Sequence, residues 1–154
     1  ICQINCEDIA PFDKENRLPH EGMLYFFAAV DDYIGYESPV HNPAGEWPKG
    51  RVILKYAKTI NFETFQTCML VGDEDEQLTE NELEIVFSEC EDEAEGIKML
   101  SNDLPGSYPD HTNLLKLVSD SVSGLDFGSG RLDFVIKNSD LGFGNWKKTK
   151  AVLG

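Results

Sequence analysis

At 154 residues, with 41% hydrophobic and 10% aromatic side chains, the chain can bury a substantial core, and its composition excludes a disordered polymer. No apolar run approaches the ~18 residues that span a bilayer. A formal charge of −15, from 28 acids against 13 bases, repels phosphate backbones and anionic headgroups over a Debye length of ~8 Å, which argues against nucleic acid and membrane as partners and leaves solubility, or a basic protein partner, as its use. Cys2, Cys6, Cys68 and Cys90 form no C-x-x-C pair, and a chain of this size needs no staples, so reduced thiols and a cytoplasmic location are expected.

In chain order, residues 1–5 read as a strand already under way at Ile1, as in the C-terminal part of a longer chain. Residues 7–10 allow one helical turn before Pro11 stops it. GMLYFF opens a strand over residues 22–30 that is apolar on both faces, Leu24 and Phe26 on one and Tyr25, Phe27 and Ala29 on the other, so a central, doubly covered position is expected. Residues 31–50 carry three prolines and no period, which predicts a long loop pinned by Tyr36 and Trp47. RVILKYA, residues 51–57, is a strand with Val52, Leu54 and Tyr56 inward.

Residues 62–70 fit a short helix or a strand equally well. Between Lys58 and Lys98 lie 39 residues without a lysine, arginine or histidine. Within them NELEIVFSEC alternates Leu83, Ile85 and Phe87 with acids, which predicts a strand with a carboxylate-bearing outer face. EDEAEGIKML reads as a helical turn. TNLLKLV is a strand with Leu115 and Leu117 on one face and Leu114 and Val118 on the other. GRLDFVIK is a strand with Leu132, Phe134 and Ile136 inward, followed by a helical turn starting at Ser139 or Asp140. The terminal KTKAVL is a last strand.

Two stretches match. Ile4 answers Leu117, Gly22 answers Gly130, Leu24 answers Leu132, and Phe26 answers Phe134, giving repeat-like units at 1–32 and 114–141 within a single domain. The fold class that follows is α+β, a mostly antiparallel sheet with few short helices built from two related β units.

The stretches QINCEDIAPFDKENRLPHEGMLYFF, LLKLVSDSVSGLDFGSGRLDFVIKNSDL and, less closely, GRVILKYA resemble the YwqG-like family, a bacterial domain family whose function is not assigned. About half the chain carries the likeness. Lys116 and Val118 stand where the family has a glutamine and an acid, and Phe127, Gly128 and Ser129 stand where it has Trp-Gly-Asp. The resemblance implies a fold and kinship, and makes inhibition of a toxin a guess about partners.

Catalytic chemistry finds no foothold. The acids Asp73, Glu74, Asp75 and Glu76 lie in a row with nothing to distinguish acid from base. DEDEQLTENELE carries the ligand spacing of a calcium loop, but Leu78 stands where that loop needs glycine. His20, His41 and His111 have no second ligand at helical spacing, no serine sits in a nucleophile elbow, and no cysteine neighbours a histidine. No catalytic, cofactor or metal residue is therefore expected. The preferred reading is a non-enzymatic binding module whose acidic block at residues 73–95 docks a basic partner, with Asp73, Asp75, Glu91 and Glu93 as contacts. The alternative is a small-ligand or hydrolytic pocket between the two units, bordered by the loop from Tyr33 to Trp47.

Overall fold

Period-2 alternation organises the chain into strands. In the computed structural model, residues 1–29, 43–59, 83–91, 95–104, 106, 108–119 and 130–154 are described. In chain order these form β1 (Cys2–Asn5), α1 (Cys6–Ile9), β2 (Met23–Ala28), β3 (Gly45–Glu46), β4 (Val52–Ala57), β5 (Lys98–Ser101), β6 (His111–Val118), β7 (Arg131–Lys137), α2 (Asn138–Gly142) and β8 (Lys150–Leu153), with a 3₁₀ turn at Trp146–Lys148 before the last strand. The strands make two antiparallel sheets, ordered β1-β2-β4 and β3-β8-β7-β6-β5. The α+β class, mostly antiparallel with few short helices, is the one expected. Among the described residues no helix is long and apolar enough to cross a membrane.

The two sheets meet across one apolar core that takes Ile4, Leu24, Phe26 and Leu54 from the first and Leu115, Leu117, Leu132, Phe134 and Ile136 from the second. At its centre the rings of Phe26 and Phe134 pack edge to face, 5.2 Å between centroids at 88°, a favoured arrangement for opposed ring quadrupoles. The two phenylalanines matched in sequence therefore touch in space.

The two units also share a hydrogen-bonding register. Ile4 pairs with Leu24 as Leu117 pairs with Leu132, and Cys2 pairs with Phe26 as Leu115 pairs with Phe134. On the far side Leu24 and Phe26 pair with Tyr56 and Leu54, while Leu132 and Phe134 pair with Leu153 and Ala151. Each motif strand is thus flanked on both edges. The glycines obey the same rule: the Gly22 carbonyl accepts from Cys6 N–H at 2.9 Å and that of Gly130 from Ser119 N–H at 3.3 Å.

Several expectations need correction. The second face of β2 is covered in part: Met23 is buried, but Phe27 is 47% exposed, with the Lys55 ammonium over its ring at 5.7 Å. Within the expected loop of residues 31–50, Gly45 and Glu46 add a short strand to β8. Trp47 is buried as the expected pin, its N–H donating to the Ala151 carbonyl at 2.9 Å; Tyr36 lies outside the described residues, as do residues 62–70. Residues 83–91 are irregular rather than a strand, and Lys98–Ser101 form β5 where a helical turn was expected. Gly96 at φ +107° ends any helical path there. The register between β6 and β7 shifts between Asn113 and Leu115, so Leu114 joins Leu115 in the core instead of facing away. Helix α2 starts at Asn138 without a side-chain cap.

Thiols open both of the first two elements, Cys2 in β1 and Cys6 in α1. Burial pushes Cys2 and Cys6 up to about 11, so at neutral pH they are inert hydrophobes.

Candidate functional site

Of the four expected docking residues, Asp73, Asp75 and Glu93 lie outside the described residues. Glu91 is exposed and lies in an irregular stretch, described over residues 83–91, that belongs to neither sheet. Phe87 tethers this stretch, half-buried against the core, with the Phe12 ring 6.5 Å away, and Glu89 pairs with Lys14 at 2.8 Å. Around that tether the side chains point to solvent. Leu83 is 60% and Val86 82% exposed, with Ile85 also exposed, interleaved with exposed Glu84, Glu89 and Glu91. Acids and apolar side chains therefore share one uncovered surface, and no described strand pairs with it.

Sequence reasoning missed a second feature, a polar cluster on the outer face of the larger sheet. Lys98, Lys116 and Asp133 are successive cross-strand partners on β5, β6 and β7, all buried. Asp103 bridges two cations: its Oδ2 accepts from Lys116 Nζ at 2.9 Å and from Arg131 Nη1. Arg131 Nε also lies 2.8 Å from Asp133 Oδ2, and Asn113 Nδ2 donates both to Asp133 Oδ1 and to the Asp103 carbonyl. The Lys98 ammonium donates to the carbonyl of Glu91 at 2.9 Å, which ties the cluster to the acidic stretch. Lys116 and Lys98 inside otherwise apolar segments were the only local signal; their convergence depends on strand pairing.

The environment pushes the two aspartates apart. The Arg131 and Lys116 hydrogen bonds hold Asp103 down at about 2, whereas burial raises Asp133, against the pull of Asn113 and Arg131. The signs of their contributions to stability are opposite. The folded value of Asp103 lies below its unfolded one, so its contribution is present above ~4 and is lost as pH falls through about 2. Asp133, raised in the folded state, disfavours folding as pH rises and relaxes on protonation. Thermal melts between pH 2 and 5 should therefore show Asp103→Asn losing less stability on acidification than the parent. An equal loss in both would remove Asp103 from the acid response.

Two cavities adjoin these features. One of about 330 Å³ is bordered by Glu95, Lys116, Val118, Gly130 and Arg131. A second, about 240 Å³, separates Phe12, Lys14 and Arg17 from Ser88, Glu89 and Glu91. Between the two sheets Phe26, Phe134 and their neighbours form a packed core; residues 33–42 of the loop expected to border a pocket there lie outside the described residues. No group of three or more His, Cys, Asp or Glu side chains that could hold a metal occurs among the described residues.

No curated protein and no solved structure matches the chain. Residues 1–105 match one family, a stretch that includes β1 through β5 and the acidic stretch but stops before β6. On that match, which covers more than half its length, the chain belongs to the family described as Domain of unknown function (DUF1963).

Proposed function

We propose that the chain is a non-enzymatic protein-binding module of the YwqG-like kind, working in the cytoplasm, built by repetition of one β unit, and docking a basic partner along residues 83–95. The observation that carries this reading is the stretch 83–91, where exposed Leu83, Ile85 and Val86 alternate with exposed acids outside both sheets. Large apolar side chains left in water mark a surface awaiting cover. Acids among them repel other anionic surfaces and draw a basic one, raising its rate of encounter. A basic toxin inhibited by occlusion is one partner of this description.

The test is charge reversal. A variant with Glu84, Glu89, Glu91 and Glu95 replaced by lysine should fold as the parent does, since all four are exposed, and should lose the basic proteins that the parent retains from its native lysate. Retention by the parent should also weaken as salt rises, in keeping with screening over ~8 Å or less. If both proteins retain the same partners, acidic docking is wrong.

A further inference from the structure

We propose that the 330 Å³ cavity beside β6 and β7 binds a small organic anion through one carboxylate or phosphate group, held by Lys116 and Arg131. Charge placement carries the inference. Lys98 and Lys116 are direct cross-strand partners, only 6% and 9% exposed, and like charges directly opposite one another weaken a ladder. Arg131 follows on the adjacent strand, next to Asp133, which pairs with Lys116. Three of the chain's 13 bases, in a protein of net charge −15, thus share one sheet face. Poor screening in buried surroundings strengthens their repulsion, and apolar residues of similar volume usually serve stability at least as well. Of the three, Lys116 and Arg131 line the 330 Å³ cavity and Lys98 lines the other; two cations beside open space suit a site for negative charge.

Both residues that line the cavity keep further donors. Lys116 spends one of its three N–H groups on Asp103, and Arg131 engages Asp103 through Nη1 and Asp133 through Nε, leaving Nη2 without a hydrogen-bond partner among the described residues. Lys116 and Arg131 both line the space, where Gly96, with nothing within 4 Å of an added Cβ, leaves the backbone open to close approach and Val118 supplies an apolar flank. A volume of about 330 Å³ exceeds what a bare phosphate fills and sits at the small end of ligand sites, which run from ~300 to ~1,000 Å³. Glu95 on the border disfavours a second negative charge, so the rest of the ligand is neutral or cationic. Asp103, with its side chain 40% exposed, already sits on both cations and competes with the incoming anion.

That competition gives the test a sign. Amide chemical shifts of Gly96, Val118 and Arg131 are followed during titration with sodium phosphate and, separately, sodium acetate, each against sodium chloride at matched ionic strength. Either anion should shift these amides beyond the chloride effect; a response to phosphate alone assigns phosphate-bearing ligands, and to acetate alone, carboxylates. Lys116→Met should weaken binding roughly tenfold, the scale of one charge-assisted hydrogen bond, and Asp103→Asn should tighten it several-fold. If Lys116→Met fails to fold, Asp103→Asn, at a partly exposed position, decides. The inference is overturned if neither anion moves these amides beyond chloride, or if Asp103→Asn binds no more tightly than the parent.

Discussion

Phe134→Ala is expected to lower the free energy of unfolding by about 3–5 kcal/mol, and Phe26→Ala by a similar amount, as for large aromatic truncations in close-packed cores. Both rings are almost wholly buried, and each lies on the middle strand of a three-strand ladder, so the backbone has little freedom to collapse into the vacated space. A domain of this size holds ~5–15 kcal/mol in all, which makes either loss a large fraction of the total. Because the rings meet edge to face, a double-mutant cycle should return a coupling of about 0.5–1.5 kcal/mol. Urea denaturation of the four proteins measures all three quantities. Single losses below ~1.5 kcal/mol, or no coupling, would contradict a shared core built on this pair.

Alanine at Gly130 or Gly22 is the second large effect. A Cβ at Gly130, whose φ is +130°, would sit 2.0 Å from the Gly154 carbonyl oxygen, and one at Gly22, φ +83°, would sit 2.3 Å from that of Ala57. In both cases the obstacle is backbone of the neighbouring strand, which cannot swing aside as a side chain does. Backbone strain and overpacking together should cost about 2–4 kcal/mol at each site. Gly50, at φ +93° with nothing within 4 Å of the added atom, isolates the conformational part, and Gly50→Ala should cost about 1 kcal/mol. Thermal or urea melts of the three variants check the ordering; a Gly50 effect as large as that at Gly130 would show that close approach is not what the motif glycines serve.

The matched glycines and phenylalanines also show what could be read from the chain. Alternation in GRLDFVIK fixes which of Leu132, Phe134 and Ile136 face inward, and a period of two survives whatever the partner strand is. Matching Ile4 with Leu117 and Leu24 with Leu132 also agrees with the register, since Ile4 pairs with Leu24 just as Leu117 pairs with Leu132.

Alternation misled at Leu83, Ile85 and Phe87, because it reports a half-buried strand only when a sheet lies alongside, and no described strand pairs with this stretch. The bulge at Leu114 escaped notice for a related reason: an extra residue in a ladder shifts side chains between faces without any local mark. Opposite it Leu100 takes a positive φ of +54°, which no residue type announces. The Lys98, Lys116, Asp103, Asp133 and Arg131 cluster needed the order of three strands, and long-range pairing is invisible to composition. The stretch proposed for docking, by contrast, was visible as an acidic run, and its exposed apolar side chains became apparent only once the sheets were placed.

The most direct measurement of the docking account places a photoreactive side chain at position 86, where Val86 is 82% exposed in the acidic stretch, and a control at position 143, where Phe143 is 83% exposed beyond α2. Irradiation in native lysate, with cross-links mapped by mass spectrometry, should join position 86 to a basic protein in the parent and lose that product when Glu84, Glu89, Glu91 and Glu95 are reversed to lysine, leaving the pattern at position 143 unchanged. Cross-links from position 143 alone, or a product at position 86 that persists after charge reversal, would contradict it.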